Sequence, residues 1–155
     1  METLTNQKNT LVLMAKWPIP GHCKTRLAEK IGSQSASRIQ SQLIEHTIAV
    51  AKIIEGEGLA KIQIALCGAS SKEAKRWAIN KGLKVVFQQG EGDLGVRMRR
   101  QVLLAQKTQQ NHIYGQSTIL IGSDLPNLCK LDLIKAIKAL ERHEIVLGPS
   151  LDGGY

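Results

Sequence analysis

The chain has 155 residues, 43% of them hydrophobic, and a formal charge of +8. That length suits one domain with a real core, and no apolar run approaches the ~20 residues of a membrane-spanning helix. Aromatics are only 3%, few for stacking on single strands, and the basic residues are dispersed apart from Arg97, Arg99 and Arg100. The charge therefore fits a small anionic substrate as well as nucleic acid, and simple solubility accounts for it too.

Residues 1–9 are polar, lack the apolar stretch of a signal peptide, and are expected to be a disordered lead-in. A first strand is predicted over residues 10–15, apolar from Leu11 onward. It runs into a loop with Pro18, Pro20 and Gly21, then the basic cluster Lys24, Thr25 and Arg26. Gly32 and Ser33 mark a break, with Ser33 as a helix N-cap. From Gln34 to about Glu55, Ala36, Ile39, Leu43, Ile48 and Ala51 recur at the spacing of an amphipathic helix, which Gly56 and Gly58 end. Residues 61–67 alternate Ile62, Ile64 and Leu66 with Lys61, Gln63 and Ala65, a second strand. Ser70 and Ser71, then Lys72 and Glu73, read as the cap and first turn of a helix to Asn80, which Gly82 closes.

Residues 83–87 form the third predicted strand, 88–93 a loop, and Leu94 to about Gln110 a helix. A fourth strand is expected over 117–121, followed by the loop Gly122-Ser123-Asp124-Leu125-Pro126. A helix from Leu131 to Arg142 carries Leu133, Ile134, Ile137 and Leu140 on one side, and residues 144–147 make a fifth strand. The last stretch, Gly148 to Tyr155, contains Asp152-Gly153-Gly154, a turn signal. Cys23, Cys67 and Cys129 are too scattered for a zinc pattern, and reduced thiols in a cytoplasm explain them most simply.

Strands alternating with helices predict a three-layer, Rossmann-like α/β fold with a mostly parallel open sheet and helices on both faces. Right-handed crossovers then gather the strand exits at one edge, bringing together Lys16, Lys24, Arg26, Asp93, Asp124 and Asp152. Open α/β sheets bind ligands at that edge. Lys16, Lys24 and Arg26 can neutralise a phosphate or diphosphate, Arg26 bidentately, unless they form a solvated basic loop. Asp124 suits a divalent cation with phosphate oxygens, or caps a helix. Asp93 can cap the helix from Leu94; Arg97, one turn on, can face the site, while Arg99 and Arg100 read as a solvated face. His22, His46, His112 and His143 show no ligand spacing and read as surface or loop residues.

Two phosphate motifs are testable by spacing. A P-loop fails, because Cys23 precedes Lys24-Thr25 and Pro18 stands where the first glycine belongs. Gly90-Glu91-Gly92-Asp93-Leu94-Gly95 spells G-x-G-x-x-G, but it follows the third strand and lacks an acid about 20 residues on, which leaves NAD binding as an alternative.

Taken together, these loops resemble a known family. Ala15-Lys16-x-Pro18-x-Pro20-Gly21-x-x-Lys24-Thr25-Arg26-Leu27 is similar to the opening motif of bacterial glycosyltransferase-A-fold proteins of the selenodomain-associated or arsenosugar-biosynthesis type. Gly92-Asp93-Leu94-Gly95-x-Arg97-Met98, Gly122-Ser123-Asp124-Leu125-Pro126-x-Leu128 and Gly148-Pro149-x-x-Asp152-Gly153-Gly154-Tyr155 resemble its later motifs, in order. The wider superfamily includes phospholactate and molybdenum-cofactor guanylyltransferases.

The resemblance implies a single nucleotide-diphospho-sugar-binding domain over residues 10–155. Ala15, Lys16, Gly21, Lys24, Thr25 and Arg26 would meet the nucleotide and its phosphates, with Asp93 and Arg97 lining the nucleotide pocket. Asp124 would take the place of the aspartate that binds Mg²⁺ or Mn²⁺. Asp152 and Lys24 would be catalytic, Asp152 beside the sugar or acceptor and Lys24 on the leaving diphosphate. No Asp-x-Asp occurs, so the metal would lean on Asp124, water and diphosphate.

Family members continue beyond the Asp-Gly-Gly-Tyr motif, so a C-terminally truncated member is expected, with an exposed sheet edge that favours self-association. The expected activity is metal-assisted transfer of a sugar from a nucleotide-diphosphate donor to a small acceptor, in the cytoplasm, with neither nucleic acid nor membrane as partner. The alternatives are a nucleotidyltransferase that releases pyrophosphate, a catalytically incomplete nucleotide-binding domain, and a nucleic-acid-binding module suggested by charge alone.

Overall fold

The computed structural model describes residues 9–108 and 116–149. Its centre is β1 (Asn9–Lys16), buried from Thr10 to Ala15. Continuous burial is what an apolar run without alternation requires of a strand covered on both faces. β1 pairs in parallel with β2 (Ala60–Cys67) on one side, from Asn9 opposite Ala60 to Lys16 opposite Cys67. On its other side lies β4 (Thr118–Gly122), with Met14 opposite Gly122. β3 (Val86–Gln88) pairs with β2, giving a four-stranded, all-parallel sheet in the order β3-β2-β1-β4 among the described residues.

Alternate residues on β1 serve different layers. Leu11, Leu13 and Ala15 join Ile62, Ile64 and Leu66 in the larger core, beneath α2 (Ser33–Gly56), α3 (Ser71–Asn80) and α5 (Lys130–Leu140). Val12 and Met14 face α4 (Leu94–Thr108), whose Ala105 and Met98 complete the smaller core. The expected Rossmann-like α/β fold with helices on both faces is the one observed. The two crossovers carrying α2 and α3 step from β1 toward β3 on one face, while α4 carries the chain back past β1 on the other. This is one handedness used in two directions.

Boundaries shift by the usual few residues. Asn9, expected in the lead-in, opens β1, whereas residues 1–8 lie outside the described residues. The third strand is Val86–Gln88 rather than 83–87, and Leu83 is buried as part of the turn before it. The last two residues of the helix expected to reach Gln110 also fall outside the described residues.

Two expectations fail. Ser33 is not the cap of α2 but its first residue, with Gly32 as N-cap. Residues 144–147 form no strand, and Ile145 and Leu147 are 79% and 68% exposed. The reason is topological. α5 packs on the α2 face, so a right-handed crossover through it would place the next parallel strand on the β1 side of β4, a position β1 already fills. β4 is thus an edge of the described sheet. One helix was not foreseen: α1 (Thr25–Ile31) buries no residue and so has no apolar periodicity to read.

Candidate functional site

The strand order reverses between β1 and β4, and the crevice outside their carboxyl ends is where such sheets take ligands. Two exits meet there. Lys24 Nζ lies 2.7 Å from Asp124 Oδ2, joining the loop after β1 to the loop after β4. The pair is asymmetric: the lysine side chain is 16% exposed and the aspartate 72%. Lys24 reaches across from a left-handed backbone conformation (φ 45°, ψ 47°), the one non-glycine positive φ among the described residues. Such a conformation is costly for an L-residue and tends to persist where function needs it.

Behind the pair, Gln40 of α2 holds the two exits in register. Its amide nitrogen donates to the Lys16 carbonyl at 3.1 Å and to Ser123 Oγ at 3.5 Å, and Gln40 and Ser123 are both buried. His46, one and a half turns further along α2, contacts the Leu128 carbonyl through Nε2 at 2.9 Å, fixing the end of the same loop. It is therefore a half-buried helix residue rather than a surface or loop histidine.

On the α4 side a cavity of about 290 Å³ opens at the carboxyl ends of the strands. Ala15, Lys16, Gln89, Arg97, Gly122 and the apolar Met14, Leu94, Met98 and Leu120 are among its walls. Gln89, 4% exposed, bridges the sheet: its amide nitrogen donates to the carbonyls of Ala15 and Ala65, each at 3.0 Å. Its Oε1 accepts from Arg97 Nη1 at 3.4 Å, and Arg97 Nε reaches the Asp93 carbonyl at 3.4 Å. Asp93 caps α4, with Oδ1 accepting the Val96 N–H at 2.8 Å, and it does not line the cavity.

Arg100 is not a solvated residue of the helix face. Its guanidinium donates to the carbonyls of Gln89 and Glu91, holding the loop before α4. Gly90, at φ 76°, lies beneath that guanidinium, where a Cβ would come within 2.5 Å of Nη1. Gly90 of the G-x-G-x-x-G run thus packs against a side chain of this chain.

Of the residues predicted for the site, Ala15, Lys16 and Arg97 line the cavity, and Lys24 and Asp124 meet across the loops after β1 and β4 without lining it. Gly21, Thr25 and Arg26 are exposed beyond it, the last two in the first turn of α1. Asp152 lies outside the described residues. Asp124 caps no helix, since Cys129 is the N-cap of α5. Among the described residues no group of three His, Cys, Asp or Glu side chains converges to hold a metal ion. Asp124 offers a carboxylate at the crevice, with one oxygen on Lys24 and most of the side chain open. A single carboxylate suits a hard divalent cation held largely by substrate phosphates and water.

Sheet order and site together define a Rossmann-like α/β domain of the nucleotide-diphospho-sugar transferase fold. The chain belongs to the bacterial family described as "Uncharacterized protein conserved in bacteria (DUF2064)", which matches residues 50–155. It is similar to the crystal structure of a Desulfovibrio desulfuricans G20 protein proposed to be a nucleotide-diphospho-sugar transferase. The TM-score is 0.65 and the identity 25%, over 88% of this chain and 55% of that one. The chain thus spans about half the length of that neighbour. No curated protein matches it. No helix among the described residues is long and apolar enough to cross a membrane.

Proposed function

We propose that this domain binds a nucleotide-diphosphate sugar and takes part in transferring the sugar to a small acceptor, with Mg²⁺ or Mn²⁺ assisting. The reading belongs to the selenodomain-associated or arsenosugar-biosynthesis type of transferase that the sequence motifs resemble. The Lys24–Asp124 pair carries it: an ammonium and a carboxylate face each other across the ligand-binding edge of the sheet. A diphosphate with a bound cation offers each a better partner, the phosphate oxygens for Lys24 and the cation for Asp124. The cation would supply positive charge to the diphosphate as the bond to the sugar breaks.

Lys24 then faces the leaving group, where a preorganised cation stabilises charge that develops in the transition state. Arg26, exposed one helical step on, can add a bidentate contact. Lys16, at the cavity wall, faces the nucleotide. Asp152 is assigned on its motif to orienting or deprotonating the acceptor. Self-association through the β4 edge belongs to the same proposal.

Ligand-induced thermal shift tests the reading. A nucleotide-diphosphate sugar is expected to raise Tm by mass action, and more so with Mn²⁺. Asp124→Asn should remove the metal-dependent part. An Asp124→Asn protein with the same affinity with and without metal as the wild type would refute the assignment. A response to nucleoside triphosphates alone, with pyrophosphate released, would replace the transferase by a nucleotidyltransferase.

A further inference from the structure

We infer that the cavity beneath α4 selects the donor through its nucleobase, and that Arg97 makes the choice. The cavity takes a base presenting a carbonyl oxygen, uracil or guanine, where cytosine and adenine present an amino group. The inference rests on the proposed nucleotide-sugar reading.

Shape and polarity both point this way. Met14, Leu94, Met98 and Leu120 give apolar walls suited to a flat ring, and about 290 Å³ is near the small end of ligand-sized cavities. The charged groups on the wall, Lys16 and Arg97, are hydrogen-bond donors. Among the described residues of the wall, Gln89 supplies the one side-chain amide oxygen, with one lone pair taken by Arg97 and its nitrogen committed to the Ala15 and Ala65 carbonyls. Asp93 turns its Oδ1 to the backbone of α4, and Asp124 turns Oδ2 to Lys24. The cavity therefore offers donors in excess of side-chain acceptors.

Arg97 is also held for the task. Nε rests on the Asp93 carbonyl and Nη1 on Gln89, which orients the planar group and leaves Nη2 for a ligand. A guanidinium cannot give up its proton in this pH range, so it cannot become an acceptor for an amino group. A base with an amino group there sets donor against donor and leaves both unpaired. Sites built to hydrogen-bond a ligand reject the mismatched analogue strongly for this reason.

The test is calorimetric titration of the full chain with UDP, GDP, CDP and ADP at fixed Mn²⁺, for the wild type, Arg97→Met and Arg97→Lys. The wild type is expected to bind UDP or GDP about ten-fold or more tightly than CDP and ADP. Arg97→Met should close that gap to about three-fold or less by weakening the carbonyl-bearing bases. Arg97→Lys, a donor without the fork, should fall between, and decides the matter if the methionine variant does not fold. Tighter CDP or ADP binding, four equal affinities, or an Arg97→Met protein that loses all four in proportion would overturn the inference and leave the donor site standing. Absence of binding by any of the four would remove both.

Discussion

Lys24 offers a direct test of whether strain is held at the site. Its backbone lies in the left-handed region at φ 45° and ψ 47°, which costs an L-residue roughly 1–2 kcal/mol and glycine almost nothing. Lys24→Ala keeps that cost and loses the contact with Asp124. That aspartate is 72% exposed, so the lost ion pair is worth about 0–1 kcal/mol. Lys24→Gly loses the same contact but relieves the strain, less about 0.4–1 kcal/mol for the greater freedom of glycine in the unfolded chain.

The glycine variant should therefore be the more stable of the two by about 0.5–1 kcal/mol. For a domain of this size that is a Tm difference of about 1–4 °C, or about 0.3–0.5 M in the urea midpoint for a slope near 2 kcal/mol/M. Both variants should bind nucleotide diphosphates more weakly than the wild type, so stability and affinity part company in Lys24→Gly. Lys24→Ala proving as stable as Lys24→Gly, or more so, would refute the claim that the lysine is held against strain.

Two further outcomes follow from the hydrogen bonds. Gln89→Leu strips two buried carbonyls of a donor and should cost about 2 kcal/mol by chemical denaturation; a loss below about 0.5 kcal/mol would show that the bridge is unimportant. Glu73 is held below its ordinary carboxylate pKa first by the Ser70 hydroxyl and then by the Ser70 backbone N–H. Asp132 is lowered by the Cys129 backbone N–H, then by the Cys129 side chain. A depressed carboxylate stabilises the fold above its unfolded pKa, and the contribution is lost as pH falls through the folded value. Acid titration below about pH 4.5 should thus loosen the first turns of α3 and α5, seen as faster amide exchange at Glu73 and Asp132. In Ser70→Ala the acid-dependent change at Glu73 should shrink, and an unchanged profile would assign it elsewhere.

The fold was legible where a pattern has one physical cause. Leu11 to Ala15 is apolar at every position because β1 is covered on both sides. Ser70 was legible as a cap of α3, and the structure adds the reciprocal bond to Glu73 that makes it a capping box. Legibility failed where tertiary context decides. The buried stripe of α2 includes Gln40 and Ile44, with Ile39 and Leu43 only half buried, because the stripe must deliver an amide to Lys16 and Ser123 as well as bury apolar surface. Residues 144–147 have the composition of a strand, but a right-handed crossover through α5 leads them to the side of β4 that β1 already fills. Of the site, the charged residues were visible and their supports were not. Gln40, His46 and Gln89 act on backbone carbonyls far away in sequence, Arg100 on those of the loop before its own helix, and no local spacing marks such a bond. The double glutamine at the end of β3 and just after it, before Gly90, was the one available sign, since a buried amide at a strand exit needs partners.

The two faces of the sheet explain why the site lies where it does. Under α2, α3 and α5 the contacts are mainly aliphatic, with Trp17 and Trp77 packed against them and Gln40 the buried amide at the strand exits, and Leu11, Leu13, Ile44, Ile54, Ile64 and Leu66 are fully buried there. Each such side chain contributes roughly 1.5–3 kcal/mol by leaving water, so this face carries much of the stability and has no room to change. Under α4 the covering helix is alone, the apolar cluster is small, and the glutamines Gln63, Gln89 and Gln101 are buried beside it. Gln63 Nε2 and Gln101 Oε1 have no partner among the described residues, a polar cost that an apolar repacking would avoid. A face that keeps buried amides and an open cavity instead of filling them with aliphatic groups gives up stability in exchange for hydrogen-bonding capacity. The crevice at the reversal of strand order opens onto that face.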